Sequence, residues 1–303
     1  MDKERRFPIV LSSFWLKIIA LLTMTIDHIG YLMQGSGILP PVAYVFRIIG
    51  RIALPLFCFM IAEGAIHTKN FSRYALRLGI MASVVSLIII GSNEIPFFRE
   101  NYLSMRDEGV IFIDLLLGAV AVYCLKQEKW YFKILAILPF LYGVASFIAC
   151  AFDWCGCYGE VWWLPYFMRT QYSWYGILMI IGFYFAHYLA KWFIKFASSA
   201  SQIPYEAYEG SYFERNTLNI ASVILMNIIT IAYYFVCMFT PHKYAFFTSA
   251  YTIQLFAVIA GVFILLYSGL RGYNKKWFQY GSYIYYLAHM LLIAIIFYLI
   301  TMI

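Results

Sequence analysis

Residues 21–33 read LLTMTIDHIGYLM. All but a few of these side chains partition readily into hydrocarbon, so the stretch reads as part of a membrane-crossing helix. Asp27 and His28 sit side by side near its middle. An ionised group at the centre of a spanning helix costs roughly 2.5–3.5 kcal/mol on insertion scales, so such groups face a bundle interior or a wet cavity. The pair therefore marks both a polytopic fold and a place within it where something polar happens.

Working outward, the 303-residue chain is 63% hydrophobic and only 12% charged, with a mean hydropathy of +0.75. A soluble domain carries about 25% charged residues. Apolar runs recur along the whole length, and the short alternating segments of a membrane barrel are missing, which leaves an all-α polytopic helical protein. We read one transmembrane domain over residues 1–303, with about nine spans near 14–33, 44–66, 74–92, 110–126, 131–151, 173–194, 217–240, 246–269 and 279–302. Lys and Arg gather on the side that holds Lys3, Arg5, Arg6, Lys17, Lys69, Arg73, Arg77, Lys126, Lys191, Arg215, Arg271, Lys275 and Lys276, while the other side receives Arg99, Arg106, Arg169 and Lys243. The positive-inside rule then puts the N-terminus in the cytoplasm and the C-terminus outside. The basic, apolar start resembles a signal peptide but has no small-residue cleavage site and runs on through Asp27-His28, so it reads as an uncleaved first helix.

The formal net charge of +7 is explained by this topology, and no nucleic-acid partner is expected. The outer loop 152–172, with Trp154, Tyr158, Trp162, Trp163, Tyr166 and Phe167, predicts an interfacial or re-entrant segment. Cys150, Cys155 and Cys157 lie around it, where a disulfide involving Cys150 is one option and reduced thiols the other. No Cys/His spacing matches a metal site, so no metal is expected. There is neither an internal repeat nor a glycine-rich phosphate loop.

The candidate chemistry rests on ionisable groups at membrane depth: Asp27 and His28 in span one, Arg47 and Arg51 in span two, Asp114 in span four, and His289 in span nine. At 1.5 Å per residue, His28 lies about 20 Å from the inner end of its span and His289 about 15 Å. Arg47 and Arg51 share a helix face, and an Asp27–Arg51 pair is the cheapest way to keep both ionised. A purely structural pair that sets helix register is the bland alternative. At the inner face Glu63 and His67 are spaced i,i+4. Lys69, Arg73 and Arg77 follow, and Asn274, Lys275 and Lys276 join them on the same side. Such a set suits a phosphorylated ligand, although any inner loop is basic by topology. His187 and His242 read as bystanders near the membrane surfaces.

The segments LKIIALLTMTIDHIGYLM (16–33), FRIIGRIALPLFCFMIAEGAIHTKNFSRYALRLG (46–79) and NKKWFQYGSYIYYLAHMLL (274–292) resemble the hallmark motifs of the TraX family. EGVIFIDLLLGAVAVYCL (108–125) and YSWYGILMIIGFYF (172–185) stand where its weaker middle motifs lie, with Ser173-Trp174 where relatives tend to carry an acid. The resemblance implies a bacterial plasma-membrane acetyltransferase. It would move acetyl from cytosolic acetyl-CoA to a peptide amine, as on a pilin N-terminus, or to a glycan hydroxyl. It further implies catalytic roles for His28, Asp27, Arg51 and His289. Donor contacts would come from His67, Lys69, Arg73, Arg77, Asn274, Lys275 and Lys276, and acceptor contacts from Arg47, Asp114 and Glu63. A proton-coupled transporter using the same Asp/His/Arg cluster is the alternative, and a non-catalytic assembly factor is a third.

Overall fold

A computed structural model describes residues 10–94, 109–154, 161–239, 252–273 and 275–301. Lys3, Arg5, Arg6, Arg99, Arg106, Cys155, Cys157, Tyr158, His242, Lys243 and Asn274 lie outside the described residues. Within them the chain is helical, as its hydropathy requires: α1 (Ser13–Gly35), α2 (Pro40–Gly50), α3 (Ala53–His67), α4 (Phe71–Glu94), α5 (Ile111–Lys126), α6 (Trp130–Leu135), α7 (Ile137–Trp154), α8 (Ser173–Ser201), α9 (Tyr212–Met238), α10 (Ala260–Leu265) and α11 (Lys276–Thr301). Short 3₁₀ turns lie at Tyr166–Met168, Tyr205–Ala207 and Leu255–Ile259.

Among the described residues seven helical segments are long and apolar enough to cross a membrane: Ser13–Gly35, Pro40–His67, Phe71–Gly91, Trp130–Phe152, Tyr166–Ser201, Tyr212–Met238 and Lys276–Phe297. The remaining two of the nine expected spans do not reach that length among the described residues. α5 has 16 residues, a rise of about 24 Å against a hydrocarbon core of about 30 Å. Of the eighth expected span, 246–269, residues 246–251 lie outside the described residues, and the described part carries the apolar helical stretch Thr252–Leu265. Despite its length α5 is central: it packs on α3, α4, α7 and α8, and Ala119, Ala121 and Val122 are fully buried. Lys126 at its end donates to the Ala65 carbonyl at 3.3 Å and to that of Ile66, satisfying carbonyls left open at the end of α3.

Two of the long segments are broken for one reason. Proline lacks an N–H and its ring collides with the carbonyl four residues earlier. Pro55 thus acts on Arg51, at the break between α2 and α3, and Pro139 acts on Leu135, at the break between α6 and α7. The span expected at 44–66 is therefore two helices meeting at Arg51-Ile52.

α1 and α2 pack closely because glycines face the contact. A Cβ on Gly30 would lie 2.7 Å from Phe46 Cβ, and one on Gly50 would fall on the Asp27 carboxyl group. Gly50→Ala is expected to destabilise the chain by about 1–3 kcal/mol through overpacking. Gly35→Ala, with nothing within 4 Å of its added carbon, should leave the midpoint unchanged. Thermal unfolding of both variants in detergent is the check.

The start of α1 is tied to the approach to α11. Leu11 N–H donates to Leu266 O (3.1 Å), Ser268 N–H to Leu11 O (2.8 Å) and Ser13 N–H to Leu270 O (2.8 Å). The Ser13 and Tyr267 hydroxyls add a bond of 2.9 Å. Residues 161–172 of the 152–172 loop pack against α4, α7 and the start of α5. Ser86 Oγ donates to Phe167 O, Tyr142 Oη to Met168 O, and Val110 N–H to Arg169 O. Val161 and Leu164 are buried, whereas Trp162 is 88% exposed.

Candidate active site

The close α1–α2 contact and the Pro55 break set up the first cluster. Arg47 and Arg51 stand one turn apart at the end of α2 and face Asp27 on α1. Arg51 Nη2 lies 2.5 and 2.6 Å from the two Asp27 carboxylate oxygens, and Arg47 Nη1 is 2.8 Å from Oδ2. Asp27 and Arg51 are buried. One carboxylate against two guanidinium groups leaves one unit of positive charge in a region of low dielectric. Arg47 thus sits in the ion cluster and also lies over the Tyr31 ring at 5.2 Å.

Beyond Arg51 a chain of polar groups crosses the bundle. Arg51 Nη1 donates to Gln254 Oε1 (3.3 Å), and Gln254 Nε2 to Tyr175 Oη (3.3 Å). The Tyr175 hydroxyl lies 3.0 Å from Thr230 Oγ1, which itself donates to Met226 O (2.8 Å). Because Thr230 donates onward, Tyr175 donates to Thr230, and every link points the same way. A guanidinium and an amide in series hold the helices together and offer no ready proton path. Gln254 and Tyr175 are absent from the sequence-derived set. An uncharged glutamine inside an apolar run is the only signal that could have flagged the first.

His28, one residue on, points about 100° away from Asp27 around the helix and meets a different partner. Its Nδ1 lies 2.7 Å from His289 Nε2, and the two rings stack with centroids 5.0 Å apart. His289 Nδ1 lies 2.9 Å from the carbonyl of Tyr285, which can only accept. His289 therefore carries its proton on Nδ1 and accepts at Nε2, so His28 must donate from Nδ1. The remaining nitrogen, His28 Nε2, keeps its lone pair and has no hydrogen-bond partner among the described residues. Tyr285 stacks on His289 at 5.3 Å and Tyr286 meets its edge at 5.7 Å. The Tyr285 hydroxyl bonds Thr25 Oγ1 at 2.6 Å, a second link between α11 and α1.

A largely apolar cleft of about 200 Å³ runs between α1, α3, α4, α5 and α11. Lys17 and Tyr74 line it, as does Tyr286, the residue one turn before His289.

The other expected residues fall in separate places. Asp114 is fully buried and accepts the backbone N–H groups of Gln171 (2.7 Å) and Tyr172 (3.1 Å), so it holds the turn that leads into α8. Glu63 accepts from His187 Nε2 at 2.9 Å and has His67 and Arg215 within 4.0 and 3.9 Å. His187 and Arg215 are two further residues that the sequence reading did not select. His67 joins this group and lines a different cavity from Lys17 and Tyr74. Lys69 follows α3, while Arg73 and Arg77 open α4, with Arg77 Nε donating to Arg73 O at 3.2 Å. Lys275 lies over the Tyr273 ring and Lys276 begins α11. Among the described residues no group of three or more His, Cys, Asp or Glu side chains is arranged to hold a metal ion.

Comparison with known proteins adds a lineage to this geometry. A probable fimbrial assembly protein, FimC of serogroup H1, from Dichelobacter nodosus is 34% identical over 98 residues, covering 29% of this chain and 39% of the relative. An uncharacterized protein from Rickettsia prowazekii (strain Madrid E) is 28% identical over 115 residues, 34% of this chain and 44% of the relative. The matches thus span less than half the length of these curated relatives. No solved structure matches. The family model for the TraX protein matches residues 12–249, a stretch that contains Asp27, His28, Arg47, Arg51, Glu63 and Asp114 and ends before His289. The chain is a membrane protein that belongs to the TraX family.

Proposed function

We propose that the protein is a membrane-embedded acetyltransferase of the bacterial plasma membrane. In this reading nine segments cross or enter the bilayer, and the N-terminus and the basic ends of the helices face the cytoplasm. Acetyl-CoA donates from that side, with its phosphates near Lys69, Arg73, Arg77, Lys275 and Lys276. Its pantetheine arm lies in the cleft that begins near Lys17 and Tyr74. The acceptor is the amine of a pilin-like or secreted peptide, in keeping with the fimbrial assembly role named for the Dichelobacter relative.

The observation that carries this reading is the His28–His289 pair. Its hydrogen-bond order leaves His28 Nε2 as a proton acceptor, and Tyr286, which meets the edge of the partner ring His289, lines the cleft. In the reaction His28 Nε2 accepts a proton from the acceptor amine as its nitrogen attacks the thioester carbonyl. The tetrahedral intermediate carries negative charge on oxygen. The net positive charge of the Asp27–Arg47–Arg51 cluster stabilises it through space, since these guanidinium groups already bind Asp27. The C–S bond then breaks, and the imidazolium returns its proton to the departing thiolate. His289 positions His28 and shares the charge that develops on its ring. The products are an N-acetyl peptide and free coenzyme A.

The test uses the full chain purified in detergent, given radiolabelled acetyl-CoA and a peptide with a free amino terminus. Label is expected on that peptide and not on the same peptide with a blocked amine. Failure to bind acetyl-CoA, together with substrate-driven proton flux in liposomes, would replace the proposal with a transporter.

A further inference from the structure

We infer that a second cavity, between α3, α8, α9 and residues 268–270, is a binding site for a phosphate monoester. It has a volume of about 380 Å³ and shares only α3 with the apolar cleft, so it is a site in addition to the one assigned to acetyl transfer.

Its centrepiece is Arg215. The guanidinium lies over the Tyr267 ring at 5.5 Å and against Gly269, where a Cβ would come within 2.6 Å of it. Gly269 has φ +77°, a backbone conformation that glycine adopts readily. Arg215 Nη1 is buried and has no hydrogen-bond partner among the described residues. Its nearest carboxylate oxygen, on Glu63, is 3.9 Å away. A buried charged donor with no acceptor is costly, and an absent ligand is one of the few explanations for it.

Three more polar side chains line the same space: His67, His187 and Lys191. His187 gives its Nε2 proton to Glu63 at 2.9 Å, and His67 gives its Nδ1 proton to the Glu63 carbonyl at 2.9 Å. Each imidazole thus keeps one nitrogen that can turn to a ligand. The two carboxylates of the cluster are engaged elsewhere. Glu63 is held by His187, and Glu214 accepts from the Gly210 N–H at 2.7 Å as part of the α9 cap. What remains for a guest is a guanidinium and an ammonium as donors, with one lone-pair nitrogen on each imidazole, carried on three helices. A phosphate monoester fits that set: it carries up to two negative charges for the guanidinium and the ammonium on three terminal oxygens, and a protonated one among them can donate to an imidazole nitrogen. A carboxylate has one charge and two oxygens. The volume leaves room for the esterified alcohol.

The full chain in detergent, titrated with glycerol 3-phosphate, is expected to show a saturable rise in melting temperature. Lys191→Gln should weaken the interaction about tenfold, the loss of one charge-assisted hydrogen bond. Lys191 is exposed, so this variant should fold. Arg215→Lys should weaken it similarly, because the fork is lost though the charge stays. Arg77→Gln, which alters the basic set beside the cleft, should bind as wild type does. The lipid source is tested in nanodiscs of phosphatidylcholine with and without phosphatidic acid. Stabilisation there alone identifies a lipid headgroup, and stabilisation by glycerol 3-phosphate identifies a soluble ligand. The proposal is overturned if neither probe stabilises the protein. It is equally overturned if Lys191→Gln binds as wild type does, or if Arg77→Gln alone abolishes binding.

Discussion

Asp27→Ala should lower the stability of the chain by about 3–5 kcal/mol, because it strands two guanidinium groups that now neutralise part of their charge on one carboxylate. Arg51 is buried within the bundle, so water cannot readily take over. Loss of the anchor should spread along the hydrogen bonds to Gln254 and Tyr175 and loosen α2 from the far side of the bundle. Asp27→Asn keeps the shape but not the charge and should cost nearly as much. Thermal unfolding in detergent, read on purified protein at matched concentration, distinguishes the outcomes. A midpoint unchanged in both variants would mean that the three ions are solvated rather than mutually dependent. Asp27→Ala combined with Arg47→Leu and Arg51→Met removes all the ions together and should recover most of the lost stability, since replacing a buried ion cluster by apolar groups is often neutral.

His28→Ala should reduce acetyl transfer by about 10²–10⁴-fold while leaving the fold and acetyl-CoA binding in place. The side chain is only partly buried, and its removal leaves His289 bonded to Tyr285 O. His289→Ala is expected to be milder, because the general base survives without its orienting partner. A rate for His28→Ala equal to wild type, with acetyl-CoA still bound, would exclude the imidazole from the chemistry. A melting midpoint within a degree or two of wild type makes the loss a catalytic one rather than a folding one.

Asp27 and Arg51 could be matched from the sequence because charges in hydrocarbon must find each other, and only a few were available at that depth. The two histidines were harder. Depths counted from expected span starts at residues 14 and 279 set them about 5 Å apart, overlapping but with no pairing implied. The observed helices begin at Ser13 and Lys276, so His28 and His289 stand about 22 and 20 Å along their helices, nearly level. Arg47 and Asp114 were legible as ions in an apolar run, and the structure adds their partners: one completes an ion cluster and the other holds the turn that leads into α8. Gln254 and Tyr175 escaped because uncharged polar side chains carry a weak penalty and many neighbours look alike. His187 escaped for another reason. Its partner Glu63 is 124 residues away in the chain, and nothing local announces such a pairing.

The backbone bonds joining residues 11–13 to 266–270, with Phe14 packed on Phe278 near the start of α11, make that end of the α1–α11 contact a pivot. Any scissoring of these two rods must widen with distance from that pivot, like the tips of a pair of tongs. At about 22 Å along, a tilt of only about 5° would separate the ring nitrogens by about 2 Å, enough to sever a bond of 2.7 Å. The imidazole couple is therefore a gauge of helix angle, broken by movements too slight to disturb the clamp that sets it.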